Sequence, residues 1–175
     1  MTARVDGVPE RFVTPRLRAR RVVASDLGYV VETDSDAVMQ RTLSIRPQTP
    51  EESRVRLERW LDVWHQCGYG FWIFENDAAA VGHAGIFPSP RDAGSIEVGY
   101  ALKPAYWNQG YATEMASGVL EIAFSAAALE RVVAIALASN AASRRVMEKL
   151  GMKFARVCAY PDGSDGVLYA LTRAT

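Results

Sequence analysis

The stretch from Ser95 to Thr113, SIEVGYALKPAYWNQGYAT, decides the fold. Its first part, Ser95 to Leu102, is rich in β-branched and aromatic residues and predicts a strand. Residues 103–110 contain proline, asparagine and glycine, which favour a loop. Apolar residues at helical spacing follow: Ala112, Met115, Ala116, Val119, Leu120 and Ala123. The stretch therefore predicts a strand, a loop and the start of an amphipathic helix.

Downstream, Arg131 to Leu137 (RVVAIAL) is a short apolar run suited to a strand that is buried on both faces. Strand, loop, helix and buried strand together predict a parallel, right-handed βαβ crossover. Asn140 is the predicted N-cap of a second helix, which Gly151 ends. The last two predicted strands, Phe154 to Tyr160 and Val167 to Thr172, form a closing hairpin.

Upstream, residues 1–13 are predicted to be a polar lead-in, Leu17 to Val23 the first strand, and Ser25 the N-cap of a short helix. Two further elements are predicted from turn and capping signals: a helix from a Thr49 capping box to Gly68, and a hairpin with strands Phe71 to Phe74 and Val81 to Phe87. We expect a single α/β domain over residues 14–175, with a mixed, twisted sheet of six or seven strands and helices on both faces.

The composition gives no indication of a charged macromolecular partner. Twenty Lys and Arg balance twenty Asp and Glu over 175 residues, which does not favour nucleic acid or an anionic membrane surface. Cys67 and Cys158 lack metal-ligand spacing, and His65 and His83 define neither a zinc site nor a triad, so no metal is expected. The sequence begins without an apolar signal segment and contains no long apolar run, so a cytoplasmic location is predicted.

The loop Trp107 to Thr113, WNQGYAT, has features of an anion site. A diphosphate needs several converging backbone N–H donors, and a loop that enters a helix N-terminus provides them. Gly110 has no side chain to obstruct a phosphate, and Asn108 tolerates unusual backbone angles. An ordinary turn between a strand and a helix has the same features. The loop alone does not choose between these two interpretations.

Two segments, IEVGYALKPAYWNQGYATEM and NAASRRVMEKLGMKF, resemble the two signature motifs of the GNAT superfamily of N-acetyltransferases. Near the start, TPRLRARRVVASDL is similar to the opening of the RimJ/RimL-like subgroup. The resemblance extends from Thr14 to Arg173. Trp107 and Asn108 depart from the general superfamily loop, although tryptophan is familiar in this subgroup.

The resemblance implies a GNAT fold whose strands at 95–102 and 131–137 splay apart to admit acetyl-CoA as the acetyl donor. It implies that the backbone near Tyr100 pairs with the pantetheine arm and that amides of the loop hold the pyrophosphate. The cofactor-binding residues so implied are Tyr100, Ala101, Leu102, Trp107, Asn108, Gln109, Gly110, Tyr111, Ala112, Thr113, Asn140 and Ser143.

Glu97 is the candidate general base, because strand alternation places it on the face of Gly99, where it could act through a water. A solvated or salt-bridged glutamate is the alternative. A backbone N–H between Val98 and Tyr100, freed by a bulge, is the expected donor to the thioester carbonyl. His83 is the reserve base.

Many superfamily members have an acid tyrosine seven residues after the motif asparagine, but this chain has Met147 there. Ser143 matches the serine that the RimJ/RimL-like pattern places near the sulfur, and it is the candidate catalytic acid. A first-turn serine bonded to the backbone is the alternative. A free thiol is also a fair leaving group without an acid.

The predicted function is direct acetyl transfer from acetyl-CoA to a primary amine, either a protein N-terminus or a small molecule, by a monomer or homodimer. Two alternatives remain. A non-catalytic acyl-CoA-binding or sensing domain is conceivable because the tyrosine is absent, and an unrelated α/β nucleotide-binding module would make both motif matches accidental.

Overall fold

The computed structural model describes residues 4–43, 45–160 and 162–173, and its strands form one eight-stranded sheet in the order β1-β2-β3-β4-β5-β6-β8-β7. The strands are β1 (Arg11–Val13), β2 (Arg18–Arg21), β3 (Phe71–Glu75), β4 (Ala80–Pro88), β5 (Ile96–Leu102), β6 (Arg131–Leu137), β7 (Lys153–Ala159) and β8 (Asp165–Thr172). The α-helices are α1 (Leu27–Ser35), α2 (Ala37–Thr42), α3 (Pro50–Cys67), α4 (Tyr111–Phe124) and α5 (Ala141–Lys149).

The sheet is mixed, as predicted, but the predicted count of six or seven strands is wrong. The additional strand is β1, which lies in the expected lead-in and pairs antiparallel with β2. Its three residues are too few for periodicity to reveal them. Each neighbouring pair from β1 to β5 is antiparallel, β5 and β6 are parallel, and β8 lies between β6 and β7.

Capping residues set the helix ends largely as predicted. The Thr49 side chain accepts a bond from the Glu52 N–H, and Gly68 ends α3 with a φ of 79°. The Asn140 side chain caps α5, and Gly151 follows it with a φ of 78°. The predicted Ser25 cap is wrong, since Ser25 lies inside a 3-10 turn that leads into α1. The predicted caps were correct where several capping residues occurred together, as at the ends of α3 and α5.

The predicted parting of the two central strands is confirmed. Across the described lengths of β5 and β6, Glu97 and Val133 form the single pair. The register of β5 with β4, by contrast, is continuous from Ile96 to Leu102, so the predicted bulge is wrong. The β6-facing edge of β5 is freed by the divergence of β6 rather than by a bulge.

Helices cover both faces of the sheet. Trp60 of α3 contacts the rings of Phe71 and His83, whereas the Tyr100 hydroxyl contacts Ser143 of α5 on the opposite face. Helix α4 packs against β4 and β5. Among the described residues, no helix is long and apolar enough to cross a membrane.

Candidate active site

A cavity of about 810 Å³ opens where β5 and β6 diverge. We call one side the loop half; its lining residues are Tyr100, Ala101, Leu102, Trp107, Asn108, Gly110, Tyr111, Ala112, Thr113, Asn140 and Ser143. We call the other side the aromatic half; its lining residues include Met39, Leu43, Ile45, Arg56, Arg59, Trp60, Val63, Phe71, His83, Phe87, Arg91 and Glu97. Gln109, although predicted to bind cofactor, is the one member of that predicted set outside the lining.

The loop has the backbone that the sequence suggested. Asn108 and Gly110 both adopt left-handed conformations, with φ of 60° and 81°. The Trp107 indole N–H donates to the Leu102 carbonyl at 2.9 Å and ties the loop to the end of β5. The Gln109 amide group donates to the Ala105 carbonyl at 3.1 Å. The indole bond gives tryptophan a role at position 107, and the positive φ suits asparagine at position 108.

Arg16 fastens the same loop to the start of α4. Its guanidinium donates to the Gln109 carbonyl at 2.9 Å, pairs with Glu114 at 2.6 Å and lies 4.3 Å from the centre of the Tyr111 ring. Thr14 also donates to Glu114, at 2.7 Å. The loop is therefore held from outside by residues distant in sequence.

Asn140 uses its side chain within the protein. The amide oxygen accepts from the Ser143 N–H at 3.0 Å, and the amide nitrogen donates to the Thr42 carbonyl at 3.1 Å. These two bonds start α5 and tie it to the end of α2. The contact between Asn140 and pantetheine stays a prediction, and the side chain's bonds favour a backbone contact over a side-chain one.

Ser143 and Tyr100 form a hydroxyl pair that the sequence did not indicate. Their oxygens are 2.9 Å apart, and the Tyr100 hydroxyl is also 3.1 Å from the Ser143 carbonyl oxygen. Burial raises the pKa of Tyr100 to about 12, so the phenol stays protonated at neutral pH. When Tyr100 donates to Ser143 Oγ, the serine proton is free to point into the cavity.

Glu97 lines the cavity and is only 4% exposed, which excludes the solvated alternative. Its carboxylate accepts from the Ser89 hydroxyl at 2.7 Å and lies 3.5 Å from the Arg91 guanidinium, so Glu97 is salt-bridged, as the second alternative had it. Burial raises the pKa of Glu97, while the bond from Ser89 and the charge of Arg91 oppose that rise. A carboxylate with a raised pKa is a stronger base than an exposed one.

The segment between β4 and β5 positions Ser89 and Arg91. The Ser89 hydroxyl accepts from the backbone N–H groups of Arg91 and Asp92 at 3.2 and 3.1 Å. Arg91 lies 4.6 Å from the centre of the Tyr160 ring. Sequence reasoning missed both residues, because Pro88 and Pro90 indicated only a break in the chain.

His83 is unsuited to act as the reserve base. It is 6% exposed, its ring nitrogen Nδ1 is 3.0 Å from the Tyr29 hydroxyl, and its ring centre is 4.8 Å from that of Trp60. Burial lowers the pKa of His83 to about 3. The imidazole is therefore neutral near pH 7 and a weak proton acceptor.

The structure also shows where Met147 and the two neighbouring arginines of α5 lie. Met147 is 1% exposed and lines the cavity without offering a proton. Arg145 lines the cavity, whereas the Arg144 guanidinium lies 3.4 Å from the Ala138 carbonyl. Within the described ranges, no group of three or more acidic, histidine or cysteine side chains is arranged to hold a metal ion.

Comparisons with known proteins agree with this geometry. Residues 16–153 match the family model described as an acetyltransferase (GNAT) domain. The chain is 33% identical over 142 residues to the uncharacterized N-acetyltransferase YnaD of Bacillus subtilis, across 81% of this chain and 82% of that protein.

Solved structures show the same fold. A GNAT-family acetyltransferase from Bacillus anthracis has a TM-score of 0.77 at 26% identity, covering 93% of this chain and 98% of that one. RimL, described as a ribosomal L7/L12 α-N-protein acetyltransferase in complex with coenzyme A, has a TM-score of 0.76 at 16% identity, covering 94% and 97%. The last likeness concerns the fold alone. The protein belongs to the GNAT family of acetyltransferases and is an acetyl-transferring enzyme.

Proposed function

We propose that this enzyme transfers the acetyl group of acetyl-CoA directly to a primary amine, with Glu97 as general base. The observation that carries the proposal is a buried carboxylate of raised pKa in a cavity that opens at the parting of β5 and β6. An ammonium group must lose a proton before it can attack a thioester. Glu97 lies at the parting of β5 and β6, and its carboxylate can accept this proton.

The loop half fits the pyrophosphate and pantetheine of acetyl-CoA. Gly110 has a left-handed backbone, and a Cβ atom built there would have only the end of the Arg16 side chain within 4 Å, at 3.5 Å. Room for a phosphate therefore exists directly before the N-terminus of α4, where N–H groups and the helix dipole favour an anion. When bound, acetyl-CoA supplies the acetyl group and a thiol leaving group.

Each catalytic role falls to a residue on the cavity wall. Glu97 accepts the proton of the amine, directly or through a water, while the new C–N bond forms. A backbone N–H on the unpaired edge of β5 between Val98 and Tyr100 stabilises the oxyanion. Ser143 gives its proton to the departing sulfur as the C–S bond breaks, Tyr100 passes its own proton to Ser143 across their 2.9 Å contact, and solvent water reprotonates Tyr100 when the products leave.

The sensing alternative loses its main support. It arose from the missing tyrosine at position 147, and the Tyr100 and Ser143 hydroxyl pair offers another proton donor on the same wall. A sensing domain would also have no use for a buried glutamate, since burying a charge costs free energy. The cytoplasmic location and the monomeric or homodimeric state stay predictions.

Two measurements test the proposal. The melting temperature is measured with CoA, ATP and NAD, and we expect CoA alone to raise it. Thiol release from acetyl-CoA is then followed with a panel of primary amines and N-terminal peptides. An amine-dependent release supports the proposal, and a CoA-stabilised protein that acetylates no primary amine contradicts it.

A further inference from the structure

The aromatic half of the cavity has an uncompensated positive charge. Among the described residues, its lining contains the arginines Arg56, Arg59 and Arg91 but a single acidic side chain, Glu97. Arg91 lies 3.5 Å from Glu97, and Arg56 pairs at 3.2 Å with the buried Asp34. Arg59 has no ion pair or side-chain hydrogen bond with any described residue. Within the part of the chain that the structure describes, the Arg59 guanidinium is therefore left without a partner at the cavity.

The spacing along α3 fixes where this guanidinium lies. Arg56, Arg59, Trp60 and Val63 stand three and four residues apart, which places them on one face of the helix, and all four line the cavity. Arg59 is exposed, so it lies at the rim. Its neighbour Trp60, 8% exposed, belongs to the wall.

An aromatic wall connects that rim to Glu97. The Trp60 ring stacks on Phe71 with centroids 4.5 Å apart, and Phe71 stacks on Phe87 at 5.1 Å. Phe87 is directly opposite Glu97 in the pairing of β4 with β5. The apolar side chains of Met39, Leu43, Ile45 and Val63 complete the lining. A ligand on this wall would have one end at the base and the other at Arg59.

We infer that the acceptor is a small amine whose apolar or aromatic body carries a carboxylate, and that Arg59 binds this carboxylate while Glu97 receives the amine. The inference rests on the proposed function for the identity of the reacting group. An arginine fork matches a carboxylate with charge-assisted hydrogen bonds. The unpaired charge of Arg59 opposes polyamines and basic peptides, because like charges repel.

The test compares three benzylamines that differ in the carboxylate, together with one polyamine. Acetylation of para-(aminomethyl)benzoate, its methyl ester, benzylamine and spermidine is measured with the parent enzyme, Arg59→Gln and Arg54→Gln. Arg54 is the matched control, because it pairs with Glu51 and Glu58 on the exposed side of the same helix. We expect the parent to favour the carboxylate by about tenfold in kcat/KM, as befits one charged hydrogen-bonded pair. Arg59→Gln should abolish that preference, and Arg54→Gln should retain it.

A binding measurement separates this inference from the proposed function. Calorimetry with the unreactive products, N-acetyl-para-(aminomethyl)benzoate and N-acetylbenzylamine, reports carboxylate recognition without turnover. Carboxylate-selective binding that depends on Arg59, without any acetyl transfer, supports the inference and contradicts the function. Transfer that favours the ester, benzylamine or spermidine overturns the inference and leaves the function standing. Absence of both selective binding and selective transfer also overturns it.

Discussion

The two halves of the cavity are built in different ways. The loop half comes from two continuous segments, β5 to α4 and the start of α5, and its proposed contacts to acetyl-CoA depend on backbone conformation at Asn108 and Gly110. The aromatic half draws side chains from α2 and the residues after it, α3, β3, β4, the segment before β5 and, through Glu97, β5 itself. The residues of the loop half can therefore be recognised from short sequence motifs. The residues of the aromatic half come together only in the folded protein.

This difference fits the ligand that we propose for each half. A pyrophosphate is bound by N–H groups of a helix N-terminus, which consecutive residues supply. An acceptor is selected by side chains that converge from separate elements. We therefore expect substitutions in the aromatic half to lower acetyl transfer and substitutions in the loop at 107–113 to lower CoA affinity, and the predictions below test that separation.

The largest expected effect is that of Glu97→Gln on turnover. Loss of a general base should lower kcat by about a hundredfold or more, because positioned proton transfer contributes on that order. CoA affinity should change less than about twofold, since Glu97 lies outside the loop half. Steady-state kinetics and calorimetry with CoA measure the two quantities.

The matched control for this variant is Glu121→Gln, an exposed position on α4. It should behave as the parent. Equal kcat in Glu97→Gln and the parent would remove Glu97 from the mechanism, and a large loss of CoA affinity would contradict the separation of the two halves.

Gly110→Ala should act on the loop half instead. An alanine in the left-handed region costs about 1–2 kcal/mol, so the loop relaxes and its N–H groups turn away from the phosphate position. We expect CoA affinity to fall by about tenfold, the same free energy expressed as a ratio. Calorimetry measures it. Gly7→Ala, with a φ of 84° and nothing within 4 Å of a built Cβ, carries similar strain away from the cavity and should bind CoA normally.

The Tyr100 and Ser143 pair should contribute more modestly, because a thiol is already a fair leaving group. Ser143→Ala and Tyr100→Phe should each lower kcat by about fivefold, and the double variant should lose little more, since both act on one proton path. Pre-steady-state rates measure the effect. If the rate of the double variant falls by the product of the two single losses, the two hydroxyls act independently.

The smallest expected effect is a change in pH dependence for Arg91→Gln. The Arg91 cation favours the charged form of Glu97, so its removal raises the pKa of Glu97 further. Because the base must be deprotonated, the acidic limb of the kcat profile should move to higher pH. An unchanged or lowered limb would show that Arg91 does not influence the base. Arg131→Gln, an exposed position on β6, is the control.

The sequence predicted the elements that local rules govern. Asn140 and Gly151 bounded α5 correctly, and Arg131–Leu137 was confirmed residue for residue as β6. It could not predict β1, which is three residues long, or the pairing of β8 between β6 and β7, which depends on tertiary contacts. Side-chain alternation along β5 correctly predicted that Glu97 and Tyr100 lie on opposite faces of the sheet.

Local sequence rules likewise indicate only part of the candidate site. The loop conformation at Asn108 follows from a residue type that tolerates positive φ. The Tyr100 to Ser143 contact spans 43 residues and the Ser89 to Glu97 contact joins a loop to a strand, so no local pattern indicates either. The same holds for Arg16, which reaches the loop from 93 residues away.

The most direct test of the account is a mass measurement of the product. Parent enzyme and Glu97→Gln are incubated side by side with acetyl-CoA carrying a labelled acetyl group and with para-(aminomethyl)benzoate. The account predicts that the label appears on the amine nitrogen with the parent and is nearly absent with Glu97→Gln, although both bind CoA equally. Label that stays on CoA with the parent, or reaches the amine equally fast with the variant, would contradict it.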